Sequence, residues 1–158
     1  MGSANPADSL EGNHVLGALP AGERRRLAQQ LTAVSLEIKT VLFEPGEPID
    51  AVHFPLDGVI SLVTPLEDGA IVEVATVGNE GVVGVPLVPG GSLAVRAISQ
   101  VPGRALRMEA PPFLAELARR GGLYEVVQNY TSALLARSPR RPPATGSTPT
   151  RSASAAGC

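Results

Sequence analysis

Apolar and polar residues follow two different periods along the chain. In the first stretch, Leu16 and Leu19 end a short apolar segment and Pro20 marks a break. Leu27 and Leu31 then recur at i, i+4 beside the charged run Glu23-Arg24-Arg25-Arg26. This spacing predicts helix over Leu10 to Leu31, broken at Pro20, with the charged run on its exposed face. From Val34 to Met108 the period shortens to two. Val34-Ser35-Leu36-Glu37-Ile38 alternates, Val41-Leu42-Phe43 is stopped by Glu44-Pro45-Gly46, Val52-His53-Phe54 by Pro55, and Val59 to Val63 by Thr64-Pro65. Glu67-Asp68-Gly69 reads as a turn before Ile71 to Ala75, and Asn79-Glu80-Gly81 as another before Val82 to Val88. With Leu93 to Val101 and Ala105 to Met108, the pattern predicts about eight short strands. No long helix separates them, so the expectation is an antiparallel roll or sandwich, not a doubly wound parallel sheet. Helical spacing returns at Pro112 to Arg120, with Phe113, Leu114 and Leu117 on one side. After Gly121-Gly122 a second helix carries Leu123, Val126, Val127, Tyr130 and Leu134 at i, i+3, i+4, i+7 and i+11. That stripe fits a helix packed on its own roll and equally a seam between two copies of the chain.

Composition narrows the function classes. The 158 residues are 44% hydrophobic but only 3% aromatic, without Trp, so one domain of ordinary size must build its core from aliphatic side chains. A net charge of -2 argues against a nucleic-acid coat or a basic membrane binder. The single Cys, at position 158, excludes a disulfide framework and a Cys-based zinc site. No apolar run approaches a transmembrane span, and Met1 to Pro6 lacks the layout of a signal peptide, so a cytoplasmic protein is expected. Beyond Ala136 lie four arginines and no acid, which leaves nine basic and fifteen acidic residues before it, a net of -6. Ser138 to Cys158 has no Leu, Ile, Val or Phe and cannot offset the entropy of ordering it. The expected organisation is therefore a flexible N-terminus over 1–9, a folded unit over 10–137, and a disordered Pro-, Ser- and Arg-rich tail over 138–158.

The order of elements and several motifs carry a resemblance over about Asn13 to Arg137. They are Asn13-His14-Val15-Leu16-x-x-Leu19-Pro20, Val41-Leu42-Phe43-x-x-Gly46, Val52-His53-Phe54-Pro55-x-x-Gly58-Val59-Ile60-Ser61-Leu62, and Asp68-Gly69 through Val77-Gly78-Asn79-Glu80-Gly81-Val82-Val83-Gly84. Together they resemble the cyclic-nucleotide-binding domain of the Crp/Fnr family of bacterial transcription regulators. The resemblance implies a mainly β fold with flanking helices: a double-stranded β-helix jelly roll followed by a long helix, here cut short. It also implies a non-enzymatic sensor, in which a small molecule held in the roll shifts the long helix, and that helix pairs with its twin in a homodimer. The alternative is a stand-alone interaction domain that reads no DNA and keeps a vestigial pocket.

The same resemblance places a ligand-binding cassette at Gly78, Glu80, Gly81, Val83 and Gly84, with Arg96 as the phosphate partner. The chemistry behind it is a nest of converging N–H groups completed by a two-pronged guanidinium. This sequence departs from the pattern. With Gly84 as the cassette glycine, Val85 stands where a Glu would meet the ribose, Pro86 has no N–H, Glu80 precedes Gly84, and Arg96 comes late. A cyclic nucleotide is therefore a doubtful ligand, and no other cofactor or metal is implied. Gly46 and Gly58 are expected at roll corners, as turn glycines with positive φ. Arg104 and Arg107 are expected on a solvated strand face. His53 must face away from Val52 and Phe54, and both it and His14 are expected to be hydrogen-bonded structural residues. No Ser, His and Asp arrangement indicates catalysis.

In the family a helix-turn-helix follows the long helix, whereas here only the tail follows, so no sequence-specific DNA reading by this chain alone is expected. Read one base out of frame with third bases chosen, the codons of Pro143 to Thr148 can spell Cys-Asn-Arg-Leu-His. This resembles the run that precedes the helix-turn-helix in this branch of the family. The expectation is that the tail is the family's own helix continuation in a shifted frame, against a genuinely encoded disordered tail.

Overall fold

Seven strands form two antiparallel sheets in a computed structural model that describes residues 10–85 and 92–137, apart from the side chains of residues 134, 135 and 137. The strands are β1 (Leu31–Leu36), β2 (Val41–Phe43), β3 (Ala51–Pro55), β4 (Val59–Pro65), β5 (Ile71–Val77), β6 (Arg96–Val101) and β7 (Gly103–Glu109). One sheet has the order β1-β7-β3 and the other β2-β6-β4-β5. The helices are a 3₁₀ turn at Leu10–Gly12, α1 (His14–Gly17), α2 (Ala21–Ala28), α3 (Ala110–Ala118) and α4 (Gly122–Arg137). This is the jelly-roll arrangement expected, with two differences in detail. Leu31 opens a strand, where it pairs with Met108, and does not close the helix. Val82 to Val88 is no strand within its described part: Val83 makes only an isolated bridge to His53, and residues 86–88 lie outside the described residues. The flexible N-terminus and the tail expected over 1–9 and 138–158 also lie outside them.

Strand alternation divides the interior into two cores. Val52 and Phe54 of β3 and Leu106 and Met108 of β7 face the helices, where they meet Leu10, Leu16, Leu27, Phe113, Leu123 and Val127. The Phe54 and Phe113 rings lie 6.3 Å apart and tilted by 57°, a favourable edge-on approach. Between the sheets a second core gathers Leu36, Phe43, Ile49, Ile60, Val77, Val83, Ala97 and Ala105. All five residues of β3 are buried, which is why it reads as nearly continuous apolar sequence, with His53 as the interruption.

Turn chemistry sets the corners. The β4–β5 hairpin closes with Leu66 N–H on Ala70 O at 2.7 Å, and Asp68 accepts from Ala70 N–H at 2.9 Å. Gly46 has the positive φ expected, +81°. Gly58 does not; its requirement is space, because a Cβ there would lie 2.7 Å from Val101 O.

The charged run on α2 is not a free solvent face. Arg26 holds Glu116 of α3 through Nε at 2.8 Å and Nη2 at 3.0 Å. The Arg26 hydrogen bond holds the Glu116 carboxyl below the usual range, against the opposing effect of its burial. Glu23 reaches the first turn of α4, accepting from Gly122 N–H at 2.9 Å and Leu123 N–H at 3.1 Å. A carboxylate at the positive end of a helix satisfies two donors that have no partner within it.

Candidate functional site

The segment joining β5 to the distal cassette forms an arch against the roll. Gly81 N–H donates to Gly78 O at 3.2 Å, and Gly78 N–H donates to both carboxylate oxygens of Glu80 at 3.2 Å each. Glu80 is thus folded back on its own turn. Val83 exchanges both backbone bonds with His53, at 2.9 Å each. Gly84 has φ +89°, and a Cβ there would lie 3.0 Å from Ala51 O. Only glycine fits both demands without strain. Val85 packs half-buried against the helix-side core. Residues 86–91, the remainder of the expected cassette, lie outside the described residues.

The arch is fastened at two points. Asn13 is fully buried, and its Nδ2 donates to Pro55 O at 2.8 Å and to Gly81 O at 2.9 Å. Its Oδ1 caps α1 by accepting from Val15 and Leu16 N–H at 3.0 and 3.2 Å. The amide uses two donors and two acceptor sites, its whole capacity. At the second point Tyr130 of α4 lies against Gly81, so closely that a Cβ on Gly81 would fall 2.2 Å from the Tyr130 Oη.

Five of the six predicted ligand residues, Gly78, Glu80, Gly81, Val83 and Gly84, therefore lie together in the arch. Arg96 does not join them. It stands on β6, and its Nε is 2.7 Å from Glu44 Oε1 just past β2. The predicted helix stripe is on α4, and Leu123, Val126, Val127 and Tyr130 pack on the domain's own cores. The Leu134 side chain lies outside the described residues. Arg104 is exposed as expected and binds Asp57 through Nη2 at 2.8 Å and Nε at 3.0 Å, and its N–H does so at 2.6 Å. Arg107, three residues along the same strand, is half-exposed and lines a cavity with His53.

His53 departs from expectation. It faces away from Val52 and Phe54 as predicted, yet its buried Nδ1 has no hydrogen-bond partner. Burial and then the nearby Arg107 push its pKa down to about 4, so the ring is neutral at pH 7. The outer face of the larger sheet holds a further polar group: buried Ser61, 2.6 Å from Glu73 and 2.5 Å from Gln100. Both neighbours are acceptor oxygens, Glu73 Oε2 and Gln100 Oε1, so the single Ser61 hydroxyl hydrogen is donated to one of them at a time. Among the described residues no three His, Cys, Asp or Glu gather as a metal site, and no helix is long and apolar enough to cross a membrane.

Sequence reasoning missed three structural partners of the arch and helix. Asn13 carried a signal, an N-cap residue ahead of an apolar pair. Tyr130 stood in the apolar stripe but nothing local named Gly81 as its partner, and Glu23 carried no signal, because these contacts join segments far apart in sequence.

Residues 33–120 match the family model described as the cyclic nucleotide-binding domain. No match was found among curated proteins. Among solved structures, the chain superposes on a protein of Ruegeria pomeroyi at 20% identity and TM-score 0.65, covering 87% of this chain and 63% of that one. A cyclic nucleotide-binding domain from Methylobacillus flagellatus aligns at 17% identity and TM-score 0.65, over 84% of this chain and 79% of that one. The N-terminal domain of a transcriptional regulator from Streptomyces coelicolor aligns at 21% identity and TM-score 0.61, over 82% and 92%. At these identities the likeness is one of fold, and the chain spans less than two thirds of the Ruegeria protein's length.

Proposed function

Because the chain belongs to the cyclic nucleotide-binding domain family, we propose that it is the ligand-sensing part of a Crp/Fnr-type transcription regulator. The observation that carries this reading is the seat of Tyr130 on Gly81. The arch where an effector would lie and the helix that would relay its binding share one contact, as a population-shift sensor requires. The protein in this reading is non-enzymatic and cytoplasmic, and it pairs weakly with a second copy through the distal part of α4. The proximal stripe is already used within the chain.

The effector in this reading is not an ordinary cyclic nucleotide. A phosphate nest needs free N–H groups, yet those of Gly78 and Val83 are engaged, and Arg96 is held by Glu44. Val85 offers no acceptor to a ribose hydroxyl. The same engaged donors favour the second reading, an interaction domain whose pocket is vestigial. Titration calorimetry of the 158-residue chain with cyclic AMP and cyclic GMP tests the effector, with no micromolar binding expected. Micromolar affinity for either would overturn the argument from engaged donors. Gel-shift of promoter DNA at physiological salt tests whether these 158 residues act as sensor alone: no shift is expected, and a sequence-specific shift refutes that reading.

A further inference from the structure

A cavity of about 210 Å³ opens on the roll side of β3 and β7, apart from the arch. Buried Phe43, Ala51 and His53 make its floor, and exposed Glu47 and Asp50 stand at its mouth beside Arg107. His53 is 8% exposed, and its buried Nδ1 has no hydrogen-bond partner among the described residues. An unmet buried polar group is costly, so a ring held this way is a binding group or a liability. The lining holds two carboxylates and one guanidinium, and Arg107 is already paired with Glu109 on its own strand. The remaining charge at the mouth is negative. A wider hollow of about 640 Å³ shares Pro48, Asp50 and Arg107 with this cavity and adds the apolar Ile49, Ala110, Pro111 and Leu114.

We propose that this cavity binds a small organic cation, an amine whose charge is met by Asp50 and Glu47, with His53 as hydrogen-bond partner at the floor and its carbon chain along the apolar hollow. A carboxylate ligand would meet two like charges and a guanidinium already engaged. The neutral ring of His53 suits the role, since an imidazolium would repel the amine. The site also bears on the arch, because the backbone of His53 is bridged to Val83 and Ala51 O abuts Gly84. It stands whether or not the arch takes a ligand of its own.

The chain has only two histidines, His14 and His53, so imidazole nitrogen NMR of the ¹⁵N-labelled full chain reads the floor directly. The probes are n-butylamine, butanoate and 1-butanol at equal concentration. The expected result is that the amine moves the His53 ring signals and leaves those of His14 in place, while the other two probes leave both unchanged. Asp50→Asn should weaken the amine about ten- to hundredfold, the usual loss for a charged hydrogen bond. Asp50 is exposed and its backbone O, which accepts from Ala110 N–H, is untouched by the change, so folding should survive; Glu47→Gln is the second variant. A His53 response to butanoate instead, no response to any probe, or unchanged amine affinity in both variants would each overturn the proposal.

Discussion

Asn13→Ala removes four hydrogen bonds from one buried point, and its cost can be worked from their kinds. Losing the cap on Val15 and Leu16 costs about 1 kcal/mol. The carbonyls of Pro55 and Gly81 each lose a buried donor, at about 1–2 kcal/mol apiece after allowing for relaxation. The sum is about 3–5 kcal/mol, a large share of the 5–15 kcal/mol typical of a domain. Asn13→Ser separates the parts. Its hydroxyl can keep the cap but cannot reach both carbonyls, so about 2–4 kcal/mol should be lost. Asn13→Asp keeps the acceptors and sets a carboxylate against two carbonyl oxygens, and should be at least as harmful as Ala at neutral pH. Urea unfolding of the full chain, comparing midpoints at constant slope, gives all three values. A cost below about 1 kcal/mol for Asn13→Ala, or an Asp variant as stable as wild type, would refute the reasoning, since no buried staple could then join α1, β3 and the arch.

Three further outcomes follow, two from particular contacts and one from the sequence. His53 is held neutral, with a pKa of about 4 against an ordinary 6.5, so below pH 6.5 the unfolded chain takes up a proton that the native ring refuses. Stability should fall by about 2 kcal/mol by pH 5 and about 3 kcal/mol by pH 4, and His53→Gln should remove that slope; parallel pH dependences in wild type and variant would refute it. Gly81→Ala should cost about 1–3 kcal/mol by crowding Tyr130, and less than half as much when Tyr130 is also Ala; equal costs in both backgrounds, by urea midpoint, would dissolve the coupling. Reading the coding DNA from codon 134 should reveal a helix-turn-helix in the shifted frame, and an early stop there would end the idea of a frame change.

Much of the fold was legible because its signals are local. The period-two runs and the Pro and Gly punctuation marked most strands, and alternation placed His53 opposite Val52 and Phe54. The failures have physical causes. Leu31 continues a helical i, i+4 spacing from Leu27, yet Met108 across the sheet claims it for β1. Val82 and Val83 look like a strand but carry one bridge, because Gly84 turns the backbone into the left-handed region. Arg96 could be numbered onto a strand, but its direction depends on Glu44, 52 residues away. The arch was found as a set of residues, whereas the engagement of its donors depends on how its turn closes, with Gly78 N–H on Glu80, and on a distant strand, with Val83 N–H on His53.

The clamp of Glu23 on α4 gives that helix a fulcrum. At 1.5 Å per residue, Tyr130 lies about 12 Å along the axis from Gly122, and the last turn at Arg137 lies about 22 Å along it. With the first turn pinned by a carboxylate from α2, a tilt that moves Tyr130 sideways by about 1 Å sweeps Arg137 through nearly 2 Å, by proportion along a rigid rod. A change at the arch too small to disturb the packing of the roll thus arrives at the far end of α4 almost doubled.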